Sequence, residues 1–229
     1  MRNIIIIFLL WGSVTCSYGQ KTDTAVFLPV LTDSLQLEFS TQAEELVVQL
    51  GESIGIIVDN SENQQVRFDH KKIALGLFST DSNIVEITST KNQSLVTKRK
   101  IKKYLDNLYA LSEKTYNKVS SRWFNIEVCR IREEDFIIEK YSDGTIKLDE
   151  DGNPSRVYFG TVTFCQEFKA RSKYASSIEL KSQFDIVNID CKKAQIIIKK
   201  GMKNGRMQWI ARLGDITIDD YDYFQKIKK

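Results

Sequence analysis

The sequence predicts an α+β fold in which about three N-terminal helices pack on the concave face of a strongly curved, mostly antiparallel sheet. Apolar residues recur at helical spacing in the first half of the chain and at a period of two in the second half. Helices and strands are thus segregated along the chain, which is typical of α+β domains. With 229 residues, 42% of them hydrophobic, the chain is long enough to bury a full core.

The first two helices are predicted from apolar periodicity. The first helix begins after an N-cap at Ser40 or Thr41. Its apolar residues follow the i, i+3, i+4, i+7 spacing of one helix face. They are Ala43, Leu46, Val47, Leu50, Ile54 and Ile57. A second helix over roughly 67–78 is expected to place Phe68 and Ile73 on its buried side.

The third helix is the clearest of the chain and is predicted over 97–112, after a short β-branched strand at 84–88. Thr97 is its expected N-cap. One apolar stripe lies opposite a run of lysines, which is typical of a helix with one buried and one solvated face. The stripe consists of Ile101, Tyr104, Leu105, Leu108 and Leu111.

Strands are predicted after residue 117, where apolar and polar residues alternate. The dipeptides Asp143-Gly144 and Asn204-Gly205 indicate hairpin turns. The last strand changes phase at 214–215, which predicts a β-bulge there. The expected strands cover 124–129, 135–141, 145–148, 156–170, 179–190, 194–199 and 207–218.

The N-terminus follows the pattern of a secretory signal peptide, with Arg2, an apolar run over 4–11 and small residues before Gln20. The run is shorter than the about 20 residues that span a bilayer. We expect cleavage after Gly19 and export to the periplasm or the outer membrane. A lipoprotein modified at Cys16 and an uncleaved anchor are the alternatives. The expected organisation is 1–19 signal peptide, 20–40 extension or linker, 41–222 domain and 223–229 basic tail, without a later membrane span.

Charge and cysteines exclude some partners. The net charge of +3 provides no field that would attract nucleic acid. Cys129, Cys165 and Cys191 lie far from metal-ligand spacing and His70 is the single histidine, which argues against zinc. We expect no metal and no cofactor. The three cysteines are expected as small buried residues, and a disulfide between adjacent strands remains open.

Three segments resemble the nuclear transport factor 2-like superfamily: LFSTDSNIVEI, TKRKIKKYLDNLYAL and WIARLGDITI, the last similar to exported members from Bacteroidetes. The resemblance covers about 41–220, and the nested turns at 142–154 depart from it. It implies a pocket between the concave face and the helices. Enzymes of the superfamily, such as ketosteroid isomerases and polyketide cyclases, place Asp, His or Tyr there. Other members bind ligands, dimerise or act as scaffolds.

The candidate acid–base residues point away from such a pocket. His70 follows Asp69 on the predicted helix, and neighbours on a helix diverge by about 100°. Glu127 and Asp185 alternate with apolar residues on their strands, so they are expected on the outer face. Asp215 is expected to bond a local backbone amide at the bulge. We therefore expect no catalytic residue.

The sequence thus favours an exported, non-catalytic binding or protein-interaction module of the cell envelope. Its partner is an unknown small apolar ligand or a protein. The strand at 156–170 is apolar on both sides near its start, which suggests a homodimer through the sheet. The alternatives are an isomerase or lyase of the ketosteroid-isomerase type with a pocket carboxylate, and a membrane-tethered assembly domain of a secretion system. The predicted pocket residues are Tyr104, Tyr158, Phe164 and Trp209.

Overall fold

The computed structural model describes residues 31–88, 95–174, 184 and 186–219. Over these residues the fold is α+β, as predicted. The helices are α1 (Asp33–Val58), α2 (Gln64–Gly76) and α3 (Ile101–Lys114). The strands are β1 (Ile84–Thr88), β2 (Val96–Lys100), β3 (Tyr116–Cys129), β4 (Phe136–Ile138), β5 (Arg156–Ser172), β6 (Ile186–Lys203) and β7 (Arg206–Ile218).

The described strands form one curved sheet in the order β2-β1-β7-β6-β5-β3, with β4 also paired to β5. The pairing of β1 with β7 is parallel and the other strand pairs are antiparallel. Helix α1 packs on β3 and β7 and is itself contacted by α2 and α3. The core lies between α1 and the inner face of the sheet. Its fully buried members include Phe39, Leu50, Ile54, Ile57, Ile196, Ile198 and Leu213.

Helix α1 begins at Asp33, earlier than the predicted cap at Ser40 or Thr41. The Thr32 hydroxyl oxygen accepts a hydrogen bond from the Leu35 amide at 3.3 Å and caps the helix. The buried face extends back to Phe39, which continues the predicted apolar stripe. The helix therefore includes residues that the sequence assigned to an extension.

Helix α2 is oriented differently from the prediction. Phe68 and Ile73, expected on the buried side, are 44% and 40% exposed. Arg67 faces the core instead and donates to the Ile57 carbonyl from Nε at 2.9 Å and from Nη2 at 2.8 Å. It also donates to the Ser112 hydroxyl. The last carbonyls of a helix lack partners within it, so Arg67 satisfies the end of α1 and fixes which side of α2 is buried.

The prediction of a helix start at Thr97 was wrong, since Val96–Lys100 form β2 and α3 begins at Ile101. β2 pairs antiparallel with β1 from Thr88↔Val96 to Ile84↔Lys100. Pairing with a neighbouring strand outweighed the local helical pattern. The Ile101 amide then donates to the Asn83 carbonyl at 2.8 Å where α3 begins.

β6 is one continuous strand where the sequence predicted two, at 179–190 and 194–199. Residues 179–183 and 185 of the first lie outside the described part of the chain. The predicted return strand at 145–148 is reduced to isolated bridges, Lys140↔Ile146 and Leu148↔Pro154.

The predicted bulge at 214–215 is confirmed. Ala194 pairs with Ile216, and Ile196 pairs with Leu213, so two residues of β7 lie opposite one of β6. Leu213 and Ile216 are both buried although their positions differ in parity. The extra residue thus keeps both halves of β7 directed toward the core.

Candidate functional site

A cavity of about 330 Å³ lies between α3, the β1–β2 pair and the inner face of the sheet. This volume is at the lower end of the range for small-molecule sites. The polar lining residues are Thr88, Thr97, Arg99, Tyr104, Gln166, Asn188, Asp190 and Lys192. The apolar lining residues are Ile87, Leu95, Leu108, Leu111, Tyr116 and Phe168.

A buried carboxylate, Asp190, belongs to a hydrogen-bonded group on β6 and β1. Its Oδ1 atom accepts from the Thr88 hydroxyl and from Asn188 Nδ2, the latter at 3.2 Å. Asn188 Nδ2 also donates to Thr88 Oγ1 at 3.0 Å. Asp190 is 7% exposed and Asn188 is 6% exposed. Because its Oδ1 atom already has two donors, Asp190 is held in place at the cavity wall.

Lys192 is a buried cation beside this group. It is 2% exposed, and its Nζ donates to Gln166 Oε1 at 3.1 Å. Gln166 Nε2 in turn donates to the Ser121 hydroxyl at 3.1 Å. Burial lowers the pKa of Lys192, and the charge of Asp190 opposes that shift. An ammonium group has three donors, so one bond to an amide leaves it well short of saturation.

Tyr104 reaches the cavity from α3. Burial raises the pKa of Tyr104 to about 12, so its phenol is protonated at neutral pH. Lys192 Nζ lies 5.9 Å from the centre of the Tyr104 ring. The ring therefore forms one apolar side of the lysine's surroundings.

Arg99 comes from β2, whose alternation places Thr97 and Arg99 on the cavity side and Lys98 outside. Lys98 is 72% exposed and forms an ion pair with Glu86 at 2.9 Å. The Arg99 Nε atom, by contrast, is buried and has no hydrogen-bond partner among the described residues. A buried donor without a partner is rare in folded proteins.

The structure brings one of the four predicted pocket residues, Tyr104, to this cavity. Phe164 lies deeper, stacked on Trp123 with ring centres 4.4 Å apart. Tyr158 and Trp209 belong to an aromatic cluster of the core, with ring centres 5.4 Å apart. As ligand-binding residues all four stay predictions, and so does the homodimer through the sheet.

The polar residues of the cavity wall were missed by the sequence analysis. Asn188, Asp190 and Lys192 share parity with Ala194 and Ile196, which are fully buried on β6. Extending the strand as one element would have placed all three on the inner face. That parity was the available signal, and the assignment of two separate strands hid it.

The acids considered from the sequence lie elsewhere. Glu127 is exposed on β3, and Asp185 lies outside the described residues. Asp215 is exposed, and its Oδ1 accepts from the Ile84 amide of β1 at 2.8 Å rather than from its own turn. His70 is half-buried on α2, with Nδ1 3.5 Å from the Ser53 hydroxyl.

Metal ligands are not assembled in the described part of the chain, where no group of three or more His, Cys, Asp or Glu could hold an ion. Cys165 and Cys191 form a disulfide across β5 and β6, and Cys129 is free and exposed. Of the options that the sequence left open, the structure thus contains the disulfide between adjacent strands. Within the described ranges, no helix has the length and apolarity required to cross a bilayer.

Comparison with known proteins adds little. No family model matches the chain, and no curated protein matches it. A solved structure with a similar arrangement is that of a protein assigned as a scytalone dehydratase from Novosphingobium aromaticivorans. The TM-score is 0.35 at 10% identity, covering 81% of this chain and 89% of that one. Values this low establish neither a shared family nor a shared activity.

Proposed function

We propose that the protein is a binding module that takes a small, partly apolar ligand into the cavity between α3 and the sheet. The observation that carries the proposal is the composition of the cavity wall. One side holds the buried polar residues Gln166, Asp190 and Lys192, and α3 supplies apolar residues opposite them. Small-molecule sites combine a mostly apolar surface with a few fixed polar groups in this way.

Burial of a lysine and an aspartate opposes folding unless their contacts compensate. The fold nevertheless places Lys192 and Asp190 at one cavity, where apolar residues could have filled the space. Polar groups kept in this way are expected where they serve binding more than stability. The presence of buried polar residues in the cavity wall is therefore best explained by a ligand that they orient.

The test uses six probes in two sets. One set carries an octyl group and the other a 2-naphthyl group, and each set consists of an alcohol, a carboxylate and an amine. We expect at least one member to bind in saturation-transfer NMR experiments. Leu111→Trp should reduce its binding at least fivefold, because Leu111 is 39% exposed and lines the cavity. Leu148→Trp, at a position 61% exposed outside the cavity, is the matched control. Binding by none of the six probes, or equal binding by Leu111→Trp, would exclude the proposal.

A second candidate is an isomerase or lyase, because a carboxylate and a protonated phenol line one cavity. Asp190 could accept a proton from a bound ketone, and Tyr104 could donate to the developing oxyanion. The test is conversion of 3-cyclohexenone to the conjugated ketone, followed by absorbance. If the protein is an enzyme, its rate should exceed the rate in buffer alone, and Asp190→Asn should abolish this excess. A wild-type rate equal to buffer for this probe favours the binding module.

We also propose that the module is exported through the signal-peptide pattern of residues 1–19. The disulfide between Cys165 and Cys191 supports this, because such bonds persist in oxidising compartments. The periplasm or the outer membrane of a bacterial envelope is the proposed location. Mass spectrometry of the exported protein should give an N-terminus at Gln20. A retained Met1 would favour the tethered assembly domain instead.

A further inference from the structure

We infer that the ligand of this cavity is a small amphipathic monoanion, with a carboxylate held between Arg99 and Lys192 and an apolar part against α3. The inference rests on the proposed function and deepens it, since it names the chemical class that the cavity selects. It follows from the charged groups that line the cavity and from the hydrogen-bond donors of those groups that lack an acceptor.

Two cations and one carboxylate line the cavity: Arg99, Lys192 and Asp190. None of the three forms an ion pair within 4.0 Å in the described part of the chain. The Asp190 carboxylate is instead bonded by the neutral donors Thr88 and Asn188. The positive groups are therefore left without a direct counter-charge.

The unsatisfied donors belong to the same two cations. Arg99 Nε is buried without an acceptor among the described residues. Lys192 Nζ, 2% exposed, donates to Gln166 Oε1, a neutral acceptor. Leaving buried donors unpaired costs about 1–3 kcal/mol each. An anion in the cavity would supply acceptors to both.

The net charge of the cavity lining and the planar arrangement of the arginine donors favour a carboxylate as the anionic group of the ligand. Arginine presents a planar fork of donors that matches a carboxylate in a bidentate arrangement. With Arg99, Lys192 and Asp190 all in their ionised forms, the lining carries a net charge of about +1, which suits a monoanion. A dianion such as a phosphate monoester would be repelled by Asp190 more strongly.

The apolar part of the ligand is set by the opposite wall. Leu108 and Leu111 face the cavity from consecutive turns of α3, and Phe168 faces it from β5. Burial of apolar surface contributes about 25 cal/mol per Å². Short aliphatic or aromatic carboxylates fit this division of the lining into a charged and an apolar side.

The experiment compares members of each probe set by isothermal titration calorimetry at pH 7 and low salt. We expect nonanoate or 2-naphthoate to bind at least tenfold more tightly than the matched alcohol, and the amine to bind most weakly. Arg99→Gln should weaken carboxylate binding at least fivefold and change alcohol binding less than twofold. Lys192→Met should also weaken carboxylate binding more than alcohol binding.

Lys98→Gln is the control, because it removes the same charge from the outer side of the same strand. It should leave both affinities within twofold. An alcohol that binds as tightly as its carboxylate would overturn the inference and leave the proposed function intact. An equal loss of both affinities in Arg99→Gln would also overturn it. Absence of binding by all six probes would overturn the proposed function as well.

Discussion

Lys192 shows how a single side chain links the fold of this protein to its candidate site. Its position on β6 follows from the same alternation that buries Ala194 and Ile196. The fold offers it one amide oxygen as a hydrogen-bond partner, and among the described residues no carboxylate oxygen lies within 4.0 Å of its Nζ. Burial therefore lowers the pKa of its ammonium group. The unfolded chain, in contrast, binds that proton up to the ordinary lysine value of 10.5.

This difference predicts a pH dependence of stability. Between the lowered pKa of Lys192 and 10.5, the unfolded state binds more protons than the folded state. The free energy of unfolding should therefore rise with pH across that window. Urea denaturation of wild type and Lys192→Met at several pH values measures the effect, since the rise assigned to Lys192 is absent in the variant. Identical pH profiles would contradict the prediction.

Single residues were the hardest part of the chain to predict. Tyr104 was recognised because it lies in an apolar helical stripe, whereas Asp190 and Lys192 were overlooked because charged residues are usually exposed. Arg67 was overlooked for the same reason. It is 1% exposed and satisfies carbonyl and hydroxyl oxygens of two other helices. Such partners are distant in sequence, so composition alone could not reveal them.

The packing of α1 on β3 depends on the absence of one side chain. A Cβ atom at Gly51 would lie 2.9 Å from Cγ of Trp123. Trp123 cannot withdraw easily, because it is stacked on Phe164 at 4.4 Å with an angle of 8° between the rings. Phe164 is itself fully buried in β5. The close approach of α1 to β3 thus holds the stacked rings of Trp123 and Phe164 in place.

Gly51→Ala should destabilise the protein by about 1–3 kcal/mol, because overpacking outweighs the better helix propensity of alanine. Gly55 in the same helix provides the control, since a Cβ atom there would meet nothing within 4 Å. Gly55→Ala should stabilise by about 0.5–1 kcal/mol. Chemical denaturation of the two variants measures both values. Stabilisation by both substitutions would show that α1 does not approach Trp123 so closely.

Elements were predicted better than their boundaries. The third helix and the long strands follow directly from apolar periods of 3.6 and two, and the bulge at 214–215 follows from a change of phase. The start of α1 required recognition of the Thr32 cap, which lies before the periodic residues. The separation of β2 from α3 required knowledge of its pairing with β1. That pairing is a tertiary interaction and leaves no local signal.

At the scale of the whole molecule, β5 and β6 connect the core, the cavity and the disulfide. Cys165 and Cys191 are directly paired in the register of these strands. Their neighbours Gln166 and Asp190 form the next pair and line the cavity on the inner face. The covalent link therefore lies beside the polar wall and stabilises the pair of strands on which the site is built.

Replacement of both cysteines by alanine should lower the free energy of unfolding by about 3 kcal/mol, given their sequence separation of 26. Cys129→Ala is the control and should be neutral, because that thiol is free and exposed. Dithiothreitol should destabilise wild type and Cys129→Ala but leave the double variant unchanged. Thiol labelling in denaturant without reductant should detect Cys129 and spare the pair. Labelling of Cys165 or Cys191 would show that the disulfide is absent, and would remove one support for export.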